Sequence, residues 1–312
     1  MTSRISLIRK KLGNVDLTPG QMLMLCSNNL DDLVRIFNQD FESVNGDVQL
    51  YLPAGLDLNY RNIIQPASQN QQALKMILDG QGLPTKIIVS KFPGESSAKV
   101  PFLVTLVGGD YVTTFVLKIP KRPGADPIDE SEFWLMRTLS GQGISSDELT
   151  SMPYYFSDNL VLYEEFIPGK NAYLLVKEKS SGAYLAVGNL DARLWNFFKP
   201  LGGFRVCDNH LGNIVINGNT SKYVDLPASQ LVGASFEEYF RNCLFRENSM
   251  TPRILDPSEY IRGFRTVHPF DSEQMAAYLR EQPGRPSSND NKIIREIYFN
   301  QVIEVLTKPL PF

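Results

Sequence analysis

The spacing of apolar positions changes twice along the chain. Up to residue 84 it is helical: Leu23, Leu25, Leu30, Leu33, Val34, Ile36, Phe37 and Phe41 mark one or two helices. Thr18-Pro19 supplies an N-cap and a proline at the first helical position. A further short helix is predicted from Gln71 to Leu78, stopped by Asp79-Gly80. From Thr85 the pattern becomes strand-like. KIIVSKF, VPFLVTLV and YVTTFVLKIP form an antiparallel meander over about 86 to 120, joined by PGESSAK and by a GGD turn. Asp129 or Ser131 then caps a helix, ESEFWLMRTL, and two short strands follow, PYYFSD and LVLYEEF, closed by Pro168-Gly169.

Beyond Gly169 the helical period returns. AYLAVGNLDARLWNFFKPLG reads as a buried amphipathic helix. SFEEYFRNCLF, PSEYIRGF, SEQMAAYLREQ and NKIIREIYFNQVIEVLTK are later helices. One hairpin interrupts them: NIVI, the turn Asn217-Gly218-Asn219, and KYV ending at Asp225. The pattern predicts an α+β fold with three segments. These are a helical extension over 1–84, a five-strand antiparallel sheet with one inserted helix over 85–168, and a mostly helical body carrying the hairpin over 169–312.

Composition narrows the class. The chain has 312 residues, 43% of them hydrophobic and 21% charged, with a net charge of -3 spread along its length, so a basic nucleic-acid surface is not expected. No run of about 18 apolar residues predicts a membrane span. The three cysteines, Cys26, Cys207 and Cys243, are far apart and argue against a disulfide framework. They point to the cytoplasm at synthesis and leave later export open. With only His210 and His268 as imidazoles, no zinc cluster is expected.

The candidate chemistry sits at the ends of strands. Lys118, near the end of an apolar strand, either snorkels to solvent or meets an acid; Glu132, or less favourably Glu130, stands on the following helix. Ser96 and Ser97 lie in the small-residue loop, where hydroxyls and close backbone approach suit a phosphate. A hairpin returns its two ends to one edge, so Asn213 and Asp225 are expected side by side, with Asp208 on the loop leading in. Oxygen ligands of this kind suit Mg²⁺, and a nearby free carboxylate suits a general base. The bland alternative makes the Asp and Asn residues turn formers.

The motif Asp208-Asn-His-Leu-Gly-Asn213 resembles the catalytic loop of aminoglycoside phosphotransferases and related kinase-like phosphotransferases. Asp225-Leu226 is similar to the metal-binding Asp of the protein-kinase superfamily, and LVLYEEFIPG to its adenine-holding strand and hinge. The resemblance covers about 85 to 230, roughly half the chain. It departs at Val206-Cys207, at Pro227 and in a glycine-poor phosphate loop. It implies a two-lobed fold using ATP with Mg²⁺, or Mn²⁺ in its place. Asp208 would be the base and His210 would lie near the γ-phosphate. Asn213 and Asp225 would hold the metal. Lys118 would contact the α- and β-phosphates and be held by Glu132. Ser96 and Ser97 would cover the phosphates, and Glu165, Phe166 and Ile167 would offer backbone groups to adenine. Three functions follow from such a site: phosphoryl transfer to a hydroxyl of a small molecule or protein, AMP transfer, or nucleotide binding without catalysis. The acceptor stays open, with Glu237, Glu238 and Glu247 as candidates for a cationic one. The oligomeric state is not legible in the sequence.

Overall fold

A computed structural model describes residues 30–44, 46–91, 99–109, 111–121, 133, 149–157, 161–203, 210–218, 220–224, 234–245, 252–281 and 289–308, side chains excepted at 201 and 289–295. The protein is α+β and divides into two compact units, Met1–Gln142 with Ser151–Pro168, and Gly143–Thr150 with Gly169–Phe312.

The first unit is built on one mixed sheet of seven strands. These are β1 (Phe41–Val44), β2 (Gln49–Pro53), β3 (Lys86–Lys91), β4 (Lys99–Val107), β5 (Val112–Pro120), β6 (Pro153–Phe156) and β7 (Leu162–Glu165), in the order β1-β2-β3-β4-β5-β7-β6. Five antiparallel strands were expected from the sequence; the sheet has seven, and β2 pairs with β3 in parallel. The expected helical extension therefore contributes two strands. Helix α1 (Leu30–Phe37) ends where Asn38 takes a left-handed φ of 50°, so Phe41 opens β1 instead of continuing the helix. Parallel neighbours need a long crossover, and here it carries α2 (Leu58–Ser68) and α3 (Gln71–Leu78). Helix α3 has the bounds read from the sequence. Asn70 caps it by accepting from the N–H groups of Gln72 and Ala73, and Asp79 and Gly80 at positive φ stop it.

Strand alternation sorts the sheet into two buried faces. Leu50, Leu52, Ile87, Val89, Leu117, Ile119 and Tyr163 pack with Ile64, Ala67, Leu74 and Leu78 from α2 and α3. Tyr51, Ile88, Val107 and Val112 point to the opposite face and pack with Leu33 of α1 and Phe41. Two hydroxyls fasten the last strands to the crossover helices: Tyr163 donates to the Ala67 carbonyl at 2.8 Å and Tyr155 to Gln72 Oε1 at 2.6 Å.

The second unit is mostly helical. It contains β8 (Lys170–Asn171), α4 (Ala172–Lys177), α5 (Ala183–Phe198), the hairpin β9 (Ile214–Asn217) and β10 (Thr220–Tyr223), α6 (Phe236–Leu244), α7 (Pro257–Val267), α8 (Ser272–Glu281) and α9 (Asn289–Thr307). Helices α5 and α7 approach at two glycines. A Cβ on Gly188 would sit 2.2 Å from the Tyr260 carbonyl oxygen, and one on Gly263 would sit 2.2 Å from that of Leu185. Neither obstacle is a flexible side chain. Overpacking costs about 1–3 kcal/mol, against ~1 kcal/mol gained when Ala replaces Gly in a helix. Gly263→Ala should therefore lower the thermal midpoint; an unchanged or higher midpoint would mean that the helices do not cross this closely.

The core of this unit also holds charge. Asp191, in the middle of α5, and Arg253, before α7, form an ion pair at 2.6 Å, and both side chains are fully buried. Tyr223 donates to Asp191 Oδ1 at 2.6 Å and Tyr260 to Oδ2 at 2.9 Å, while Tyr239 donates to the Asp191 carbonyl at 2.7 Å. Arg253 Nη1 also donates to the Cys243 carbonyl at 3.0 Å. Burial holds the phenols of Tyr223, Tyr239 and Tyr260 and the Cys243 thiol well above their ordinary pKa values, so all four are neutral at pH 7. Burial works against the Arg253 charge, but Asp191, Tyr223 and Cys243 together outweigh it and the guanidinium pKa is raised.

Candidate functional site

The expected site residues fall in both units, and the surroundings of each half are set within its own unit. In the first, β5 runs between β4 and β7, with Lys118 opposite Leu162 and Val116 opposite Glu164. Directly paired residues share a face, and so do residues two apart. Lys118 and Glu164 therefore lie diagonally on one face, opposite Leu117 and Tyr163. Their charges meet: Lys118 Nζ is 2.5 Å from Glu164 Oε2. The other carboxylate oxygen, Oε1, accepts a short hydrogen bond from Ser151 Oγ. Lys118 is 8% exposed, Glu164 4% and Ser151 3%, so the cation sits in a largely dry setting with its counter-charge fixed from behind.

The next residue, Glu165, faces the other way and ties itself to residue 152 twice. Its N–H donates to the Met152 carbonyl at 2.8 Å, and its Oε2 accepts from Met152 N at 3.2 Å. Burial first, and then the Glu165 charge, push the Tyr154 phenol up to about 12. Phe166 and Ile167 follow the strand and are partly buried.

In the second unit the hairpin has the form expected from the sequence. Ile214 pairs with Tyr223 and Asn217 with Thr220, and Gly218 turns the chain at a φ of 57°. Leu211–Asn213 form a single 3₁₀ turn ahead of β9. The Asn213 N–H donates to the His210 carbonyl at 3.0 Å, and the Asn213 carbonyl accepts from Val224 N at 2.9 Å. Asn213, 6% exposed, is thus held beside the residue that precedes Asp225 in the chain. Asn171 braces the same turn. Its Oδ1 caps α4 by accepting from Tyr173 N at 2.8 Å, and its Nδ2 donates to the Gly212 carbonyl. Gly212 sits against the His210 ring: a Cβ there would lie 2.6 Å from two of its atoms, so that ring would have to turn aside. Gly169, at a φ of 144°, likewise lets β8 approach β9, since a Cβ would come within 2.5 Å of the Ile216 carbonyl oxygen.

Asp208, Asp225, Glu130, Glu132, Ser96, Ser97, Cys207 and Glu247 lie outside the described residues. Glu237 and Glu238 open α6. Glu238 forms a capping box with Ser235, and Glu237 accepts from Gln274 Nε2 at 3.1 Å, so both have local structural partners. His268 packs its ring 4.9 Å from that of Phe236 and places Nδ1 2.6 Å from Asn196 Oδ1; burial, then Lys199, hold its pKa below the usual value. Glu164, Ser151 and Asn171 were not picked out by sequence reasoning. The signal for Glu164 was the doublet Glu164-Glu165 in a strand, where alternation sends the two acids to opposite faces.

Among the described residues no group of three or more His, Cys, Asp or Glu could hold a metal ion, and no helix is long and apolar enough to cross a membrane. Asn213 offers a hard oxygen donor, which suits Mg²⁺ but needs a carboxylate beside it. No protein-family model matches the chain, and no curated protein matches its sequence.

Proposed function

We propose that the protein is an ATP- and Mg²⁺-dependent phosphotransferase of two-lobed, kinase-like design, moving the γ-phosphate to a hydroxyl. The observation that carries the reading is the buried Lys118–Glu164 pair in β5 and β7, one residue before the segment 165–167. A lysine taken out of water and aimed by a carboxylate is what a phosphate-binding cation needs, and an outward-snorkelling lysine would have no use for the arrangement. In this reading Lys118 meets the α- and β-phosphates. The N–H of Glu165 is engaged by Met152, so the backbone groups of Glu165, Phe166 and Ile167 other than that N–H meet adenine. Asn213 and Asp225 would hold Mg²⁺, which would supply positive charge to screen the phosphates. Asp208 takes the proton from the acceptor hydroxyl, and His210 stands toward the γ-phosphate.

Metal removal tests the ligand assignment. ATP should raise the thermal midpoint in the presence of Mg²⁺ or Mn²⁺ and lose that effect in EDTA. Equal stabilisation with and without metal would remove Asn213 and Asp225 from the role of ligands.

A further inference from the structure

We infer that Glu164 and Ser151 are positioning residues for Lys118, so that the phosphate-binding ammonium is aimed from within the sheet. The inference rests on the nucleotide-binding reading above. It is carried by three buried side chains in series: Ser151 Oγ donates to Glu164 Oε1, and Glu164 Oε2 lies 2.5 Å from Lys118 Nζ. A carboxylate free to rotate would hold the ammonium loosely. The Ser151 hydroxyl removes that rotation, and the strand register removes the rest, because Val116 and Lys118 of β5 face Glu164 and Leu162 of β7 across one antiparallel ladder. Ser151 is placed in turn by the adjoining Met152, whose N–H and carbonyl are both bonded to Glu165. The four torsions of the lysine are thereby ordered when the chain folds, not when phosphate arrives. Preorganisation of this kind raises affinity without adding a contact.

Ordering one long side chain is worth about 3–10-fold in affinity. Titration of ATP·Mg²⁺ and, separately, of adenosine reads this directly, since adenosine binds without phosphates. Ser151→Ala should weaken ATP by about that factor and leave adenosine unchanged. In a Lys118→Ala background the same substitution should have no effect on either ligand, because its target is gone. Glu164→Gln provides a second variant with the same expected pattern, since the amide no longer holds the ammonium by charge. Equal losses for ATP and adenosine, no loss, or a loss that persists in Lys118→Ala would overturn the positioning role. A wild-type chain that binds neither ligand would overturn the nucleotide reading itself, and the inference with it.

Discussion

Arg253→Ala should lower the stability of the second unit by about 3–5 kcal/mol, the range for stranding one member of a buried ion pair. Asp191 would be left in the core with, among the described residues, the Tyr223 and Tyr260 hydroxyls on its carboxylate. Asp191→Ala should cost at least as much, since it strands the Arg253 guanidinium and both phenols. The informative variant is the pair Asp191→Leu with Arg253→Met. A buried ion pair replaced by apolar side chains is often no less stable. Here recovery should be partial, because Tyr223 and Tyr260 lose an acceptor, and an unmatched buried hydroxyl costs about 1–3 kcal/mol. Tyr239 bonds to the Asp191 backbone and is spared. Urea unfolding of the three variants checks the order, with the double variant above either single one. Additive losses would mean that the two charges do not act as a pair.

Asp208→Asn should reduce phosphoryl transfer by roughly 10²–10⁴-fold, the usual range for losing a positioned acid or base. Its affinity for ATP·Mg²⁺ should change little, because Lys118, Asn213 and Asp225 remain. Lys118→Ala should show the opposite emphasis, with weaker nucleotide use. Isothermal titration of both variants, beside turnover of the wild-type chain, separates the two roles. Full transfer by Asp208→Asn would make that acid a turn former and nothing more.

Much of this fold was legible because local rules and tertiary packing agree. Helix α3 begins at an Asn cap and ends at Asp79-Gly80, and the strands β3, β4 and β5 alternate as their sequence demands. The hairpin at β9 and β10 is dictated by its Asn-Gly turn. Strands β1 and β2 were not legible. The helical spacing of the apolar residues before them runs on through Phe41, and the parallel partner of β2 lies beyond two helices. Such a pairing leaves no local signal. The acid beside Lys118 was missed for a related reason. Glu164 becomes its neighbour only through the β5–β7 register; Glu132, the acid suggested by the helix following Lys118, lies outside the described residues. The Asp191–Arg253 pair joins residues 62 apart in sequence. Its one local sign was an aspartate on an otherwise apolar stretch of helix, a position that requires a partner.

In the proposed reaction a γ-phosphate moves to an acceptor. This transfer is tested most directly by incubating the wild-type chain and Asp208→Asn with Mg²⁺ and either γ-labelled or α-labelled ATP, in the presence of mixed small-molecule and protein acceptors. Phosphoryl transfer predicts that the γ-label alone reaches an acceptor, and that Asp208→Asn transfers it roughly 10²–10⁴-fold more slowly than the wild-type chain. Transfer of the α-label would make the protein an AMP transferase, and transfer of neither would make it a nucleotide-binding module; both results contradict the account.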